Sequence, residues 1–360
     1  MKRIFNFNSG PAVLPVEVLE EASRGVLELG RCGRSVLEIG HRGKDYETIH
    51  NSARERLLRL MGLSAAEYEV LFLGGGASVQ FAMIPMNFLP SSGTADFLHT
   101  GEWSGKAMAE ARKFGGVRQA ASSEDSRFDR LPGDPKFSPH PAYVHITTNN
   151  TIEGTQWKEI PAVPAGAPLF ADASSDILGV ERDYSRFDLI YAGAQKNLGP
   201  AGVTVVVVRK SMLARIPATI PTIWSYAAHA KADALYNTPP VFAVYVLELN
   251  LKWLESRGGV SEVVKINERK AAMVYEALDE FPGVYDPAVS VKADRSIMNV
   301  TFRLRDPNRE ADFLAGARAL GMDGLKGHRS VGGLRASLYN ALPEDASQAL
   351  ADYLRLFAGR

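Results

Sequence analysis

The stretch Leu189-Ile-Tyr-Ala-Gly-Ala-Gln-Lys196-Asn-Leu-Gly-Pro-Ala-Gly202 sets a lysine between two runs of strand composition. Upstream, Leu189-Ile-Tyr-Ala192 is apolar, and downstream Val203-Thr-Val-Val-Val-Val208 has the continuous character of a strand buried on both faces. An ammonium near a packed interior is costly unless it is paired or put to chemical use. A desolvated lysine amine is also the usual starting material for a Schiff base. Taken alone, a lysine at a strand end is more often a loop residue whose tip reaches water.

A second run shifts that balance. Pro168-Leu-Phe-Ala-Asp172-Ala-Ser-Ser-Asp176 ends a short apolar segment on an aspartate, 24 positions before Lys196. An aspartate closing one strand and a lysine closing the next can face one cavity. Such a pair suits a pyridine-aldehyde cofactor: the lysine holds the aldehyde as an imine, and the aspartate keeps the ring nitrogen protonated so that the ring accepts electrons.

The same strand-then-loop pattern recurs along the first part of the chain. Glu69-Val-Leu-Phe-Leu-Gly74-Gly75-Gly76-Ala77-Ser78 reads as strand, glycine turn and helix start, where free amides favour a phosphate. It matches neither the dinucleotide nor the nucleoside-triphosphate glycine pattern. Thr94 to His99 is a predicted strand followed by a helix opening at Glu102-Trp103, and Ala142 to Thr148 is a predicted strand followed by the polar loop Asn149-Asn-Thr151-Ile-Glu-Gly154. Trp103 could stack on an aromatic ligand or be plain core, and the sequence alone favours core. This alternation predicts an α/β fold with a largely parallel sheet whose ligands sit at the strand carboxyl ends, the positions of Gly76, Trp103, Thr151, Asp172 and Lys196. Residues 221–240 read as irregular, Val241 to Leu254 as a buried helix, and Gly258-Gly259 as the boundary before a smaller C-terminal part.

Composition narrows the partners. Of the 360 residues 46% are hydrophobic and 23% charged, ordinary values for a globular chain long enough for two domains. The 41 basic and 41 acidic residues cancel, so no overall field recruits nucleic acid or a membrane surface. Anions must be met by local clusters; the pairs His41-Arg42 and His328-Arg329 lie in predicted loops, where such a pair is usually plain solvated surface, and Arg335 lies inside a predicted strand, where a buried arginine needs a carboxylate or phosphate partner. The lone Cys32 allows neither an internal disulfide nor a CxxC metal site, and no metal is expected. With polar residues interrupting the N-terminus and no long apolar run, a cytoplasmic chain is the expectation.

Three motifs carry a resemblance: Tyr191-Ala-Gly-Ala-Gln195-Lys196-Asn-Leu-Gly-Pro-Ala-Gly202, Asn237-Thr-Pro-Pro240 and Gly327-His-Arg-Ser-Val-Gly-Gly-Leu-Arg335-Ala-Ser-Leu-Tyr-Asn-Ala341. With them the chain resembles the phosphoserine aminotransferase family, in the class V branch of the pyridoxal-phosphate enzymes, from Phe5-Asn-Phe-Asn-Ser-Gly-Pro11 to the last helix. The resemblance implies fold type I of the pyridoxal-phosphate transferases. That is a large domain, residues 1–257, with a mainly parallel seven-stranded sheet, and a small α+β domain, 258–360, against which residues 1–20 pack. It implies pyridoxal 5'-phosphate held by Lys196 as an imine, Asp172 on the ring nitrogen and Trp103 stacked on the ring. Ala77, Ser78, Thr151 and Gln195 would surround the cofactor phosphate, joined by Asn237 and Thr238 from the second subunit of a homodimer.

For the substrate it implies Arg335 on the α-carboxylate and His41, Arg42, His328 and Arg329 on the distal phosphate or carboxylate. The implied reaction moves the amino group of L-glutamate to 3-phosphohydroxypyruvate in serine biosynthesis, and in bacteria also serves pyridoxine biosynthesis. Two other readings compete. A class V aminotransferase for non-phosphorylated substrates, of the serine–glyoxylate type, would keep Asp172 and Lys196 without needing both His-Arg pairs. A non-catalytic binding protein on the same fold would not need the imine lysine and its aspartate. A cysteine desulfurase is disfavoured, because Cys32 lies too early in the chain for a mobile catalytic thiol.

Overall fold

The computed structural model describes residues 3–359. The chain opens with β1 (Phe5–Asn6), α1 (Val16–Leu27) and α2 (Lys44–Met61). It continues through β2 (Tyr68–Leu73), α3 (Gly76–Phe88), β3 (Thr94–His99), α4 (Glu102–Ala111) and β4 (Gly116–Ser122). Then come β5 (Val144–Thr147), β6 (Leu169–Asp172), β7 (Leu189–Gly193) and β8 (Thr204–Arg209). Short α5 (Lys210–Leu213) and α6 (Tyr226–Lys231) lead to α7 (Val241–Ser256) and α8 (Gly259–Glu280). The last part holds β9 (Tyr285–Pro287), β10 (Asn299–Leu304), α9 (Glu310–Ala319), β11 (Met322–Asp323), β12 (Leu334–Ser337) and α10 (Glu344–Ala358). Among the described residues no helix is long and apolar enough to cross a membrane.

Seven strands form one sheet in the order β2-β8-β7-β6-β5-β3-β4. From β7 to β4 every neighbouring pair is parallel. β8 alone is reversed, antiparallel to both β7 and β2, because residues 194–203 turn the chain back without a crossover helix. Thr204 is the cross-strand partner of Leu73 on one side and Gly193 on the other, so β2 and β7 end at the same rim. Apolar clusters cover both faces of this sheet, which is why β2 and β7 are buried at every residue and read as unbroken apolar runs.

A second sheet, β12-β10-β9, is antiparallel, with α8 and α10 packed beside it. Its core gathers Val274, Phe302, Phe313 and Leu354, and Phe7 from the start of the chain joins the same cluster. The entry is fixed by β1, which pairs in parallel with β11, Phe5 opposite Met322. Phe302, 1% exposed, lies edge-on to Tyr285 and Phe313. Removing a ring packed in this way costs about 3–5 kcal/mol.

Residues 221–240 differ from the irregular segment expected of them, since they contain α6. Its turn-forming flanks hide a short alanine-rich run, and tertiary anchors make it helical. Ser225 Oγ accepts from the Ala228 amide as N-cap, and buried Tyr226 stacks on Phe88 while its hydroxyl donates to Gln80 Oε1 at 2.6 Å.

Candidate active site

The strand ends bring the predicted rim together. β6 ends on Asp172, whose carboxylate is buried and accepts the Ser174 amide at 3.0 Å. Burial raises its pKa, opposed by the positive charge of Lys196. Lys196, in the turn after β7, donates from Nζ to Thr151 Oγ1 at 2.8 Å. Burial lowers this amine to about 8, with Asp172 holding it up and Arg335 pressing it further down. Gln195 beside it is half-buried. Trp103, in the first turn of α4, lies with its ring centroid 5.8 Å from Lys196 Nζ, and its buried Nε1 has no hydrogen-bond partner.

The glycine turn after β2 opens α3. Gly75 adopts φ +89° and a Cβ there would lie 2.2 Å from Val79 Cγ2, so only glycine fits. No side chain caps this helix, which leaves the first amides, including those of Ala77 and Ser78, free to receive an anion.

Arg335 on β12 reaches the rim from the second sheet. Its Nη1 donates to the Thr151 carbonyl at 3.1 Å and its Nη2 to Ser9 Oγ at 2.7 Å, while Nε is buried without a partner. Thr151 therefore touches Lys196 with its hydroxyl and Arg335 with its carbonyl. His328 shares with Arg335 and Glu153 a cavity of about 220 Å3, and burial together with Arg335 lowers its pKa. Arg329, next in the same loop, is exposed.

Other sequence-predicted residues stand apart. His41 is half-buried and Arg42 exposed in the turn before α2, and no described hydrogen bond or ion pair joins either to the group around Lys196. Asn237 and Thr238 are exposed and line a cavity of about 450 Å3 with Gly74, Gly75 and Trp224.

Ser9 and Glu153 went unnoticed in the sequence. Ser9 lies 326 positions from the arginine it serves, and its only signal was a turn-rich opening loop. Glu153, 7% exposed, stands in the polar loop that supplies Thr151, next to Gly154. Gly154 has φ +92°, and a Cβ there would lie 2.2 Å from Thr301 Oγ1. Gly154→Ala is expected to destabilise the fold by about 1–3 kcal/mol, read as a lower denaturant midpoint at unchanged slope. An unchanged midpoint would show that the loop tolerates the side chain.

The residues present fit a phosphorylated pyridine aldehyde: an amine that burial biases toward neutrality, a buried carboxylate one strand away, an indole with an unused N–H, and an uncapped helix start for the phosphate. The Aminotransferase class-V family profile matches residues 4–350. The phosphoserine aminotransferase of Geobacillus kaustophilus is 50% identical over 362 aligned positions, covering 100% of this chain and 99% of that one. The solved phosphoserine aminotransferase of Bacillus circulans subsp. alkalophilus superimposes with a TM-score of 0.97 at 47% identity, covering 100% and 99% of the two chains. The pyridoxal-phosphate-bound phosphoserine aminotransferase of Trichomonas vaginalis does so with 0.92 at 36% identity, covering 98% and 100%. The chain therefore belongs to the class V aminotransferases, among the phosphoserine aminotransferases, as a pyridoxal-phosphate-dependent transaminase.

Proposed function

We propose that this protein reversibly moves an amino group from L-glutamate to 3-phosphohydroxypyruvate, giving 2-oxoglutarate and O-phospho-L-serine. The observation that carries the proposal is the pairing of Lys196 and Arg335 through Thr151, which holds an amine and a carboxylate-binding guanidinium on one residue. When bound, pyridoxal phosphate supplies an electron sink for charge developing at the substrate α-carbon. Lys196 Nζ takes the α-proton and keeps it within the site. Asp172 would present its buried negative charge to the ring nitrogen of the bound cofactor, and Trp103 would pack against the ring. Ala77 and Ser78 receive the cofactor phosphate on their amides, with Thr151 and Gln195 alongside.

Arg335 holds the α-carboxylate common to donor and acceptor, and its unused Nε leaves capacity for a further contact. His328 and Arg329, with His41 and Arg42, take the far anion, whether phosphate or the glutamate side chain. A four-carbon phosphorylated homologue, as in pyridoxine biosynthesis, carries the same two anions. In our reading Asn237 and Thr238 serve the site of a second subunit in a homodimer. Their exposure, and that of Ile223, Trp224 and Tyr236 nearby in sequence, supports that reading. We likewise treat 1–257 and 258–360 as two domains, supported by the seven-stranded sheet before Gly258 and the β12-β10-β9 sheet after it, with the start of the chain packing on the second through β1 and Phe7.

The test is a visible-absorption titration of the holoenzyme with O-phospho-L-serine and with L-serine. The cofactor band is expected to respond to phosphoserine at far lower concentration. Arg329→Leu should weaken phosphoserine by about tenfold to a hundredfold, the worth of a charged hydrogen bond, and serine much less. Equal responses to both amino acids in the wild type would instead favour a transaminase for non-phosphorylated substrates.

A further inference from the structure

We propose that Glu153 is a positioning residue whose carboxyl group regulates how strongly Arg335 grips a substrate carboxylate. The proposal rests on the reading of Arg335 given above.

Glu153 is anchored at both ends. Its Oε1 accepts the amide of Glu102 at 2.8 Å, in the first turn of α4, the helix that carries Trp103. Its main-chain carbonyl accepts from Thr301 Oγ1 at 2.7 Å, and Thr301 is the residue directly across the β10–β12 ladder from Arg335. The turn after β3 is shaped around the same carboxyl, since a Cβ on Gly101 would lie 2.4 Å from Glu153 Cδ. One residue thus connects, by its side chain, the helix of the ring-stacking indole and, by its main chain, the strand facing that of the carboxylate-binding arginine.

The other carboxyl oxygen is left over. Oε2 is buried without a hydrogen-bond partner, as is Arg335 Nε, and both residues line the same cavity. A helix start needs only one acceptor for the Glu102 amide, so capping does not account for Oε2. Ionised, Glu153 attracts the Arg335 guanidinium and repels an incoming carboxylate. Protonated, it leaves the guanidinium to the substrate.

The sign of the pH dependence follows. Burial raises Glu153 to about 7, with the Glu102 amide and Arg335 opposing the rise and the Glu102 charge adding to it. A carboxylate seated beside it raises it further, so such a ligand binds the protonated form better, and affinity falls as pH rises through about 7. The other charged groups around the cavity are Arg127 and Asp129 before β5, Asp286 on β9, Arg303 on β10 and His328 in the loop before β12. Of these His328 titrates nearest, but its pKa is lowered, so its change lies below this window; behind Arg335 the free amine of Lys196 lies at about 8, and in the holoenzyme that nitrogen would be bound to the cofactor.

The test is the competitive inhibition constant of glutarate against the holoenzyme from pH 6.5 to 8.5, a range in which both glutarate carboxylates stay ionised. In the wild type it should rise above pH 7, toward the limit of about tenfold per unit for one coupled proton. Glu153→Gln, which keeps an acceptor for the Glu102 amide but cannot ionise, should give a flat profile. Glu153→Asp retains an acid at a different reach and should keep the slope with a displaced midpoint. A flat wild-type profile, a wild-type slope surviving in Glu153→Gln, or an unmoved midpoint in Glu153→Asp overturns the proposal. Arg335→Lys separates the two layers: if it leaves glutarate inhibition unchanged at pH 6.5, the assignment of Arg335 fails, whatever Glu153 does.

Discussion

Lys196→Ala is expected to lower turnover by about 10³-fold or more while the protein still folds and takes up pyridoxal phosphate. The size comes from the loss of a positioned proton carrier, which by itself contributes about 10²–10⁴-fold. Cofactor uptake should survive in part because the other predicted holding groups stay in place: Asp172 on β6, Trp103 on α4, and the open first turn of α3. The amine is suited to proton transfer by its surroundings. With burial setting it to about 8, roughly one lysine in ten is neutral at pH 7, against about one in 2,500 for an ordinary lysine near 10.4. The sign of its contribution is therefore a rate that rises with pH through about 8, as the neutral fraction grows. Single-turnover absorbance changes with glutamate, in wild type and variant, measure the effect directly. Transamination by Lys196→Ala at a substantial fraction of the wild-type rate would remove Lys196 from its assigned role.

The rim of this site was readable because each of its residues closes or follows a run with a recognisable period. Asp172, Lys196 and Thr151 each stand at or just beyond a strand, and in a parallel sheet buried on both faces such strands are short apolar runs bounded by polar residues. Trp103 was placed at the rim by the same logic, although from the sequence alone core packing was the favoured reading. The reversal of β8 was not read from the sequence, although only ten residues separate β7 from β8 and leave no room for a crossover helix.

What the sequence withheld are meetings across long separations. Ser9 and Arg335 meet only because β1 and β11 pair and so return the start of the chain to the second sheet. Glu153 looked like one polar residue of a loop, and its burial depends on Gly101 and Thr301 closing around it. Helix α6 was hidden for another reason: its helical preference is weak over so few residues, and the packing of Tyr226 decides the matter. His41, Arg42, Asn237 and Thr238 owe their roles to the resemblance, and among the described residues no hydrogen bond or ion pair joins them to Lys196.

Arg335→Leu is expected to reduce kcat/KM by about 10²–10³-fold for the amino donor and the keto-acid acceptor alike. Truncating a buried, hydrogen-bonded charge leaves its former partners unpaired and costs about 2–5 kcal/mol, and here the partners are built into the site itself. The Thr151 carbonyl and Ser9 Oγ lose their donors, and Thr151 also accepts from Lys196. The variant should therefore affect more than ground-state binding. If Arg335 served only to collect a carboxylate from solution, KM would rise with kcat unchanged. Because Thr151 connects it to the lysine amine, kcat is expected to fall as well. Both substrates carry an α-carboxylate, so the loss should be similar in the two half-reactions, measured separately with glutamate and with phosphohydroxypyruvate. A loss confined to one of them would mean that donor and acceptor do not share this guanidinium, and the far anion, not the α-carboxylate, would then be the group that Arg335 reads.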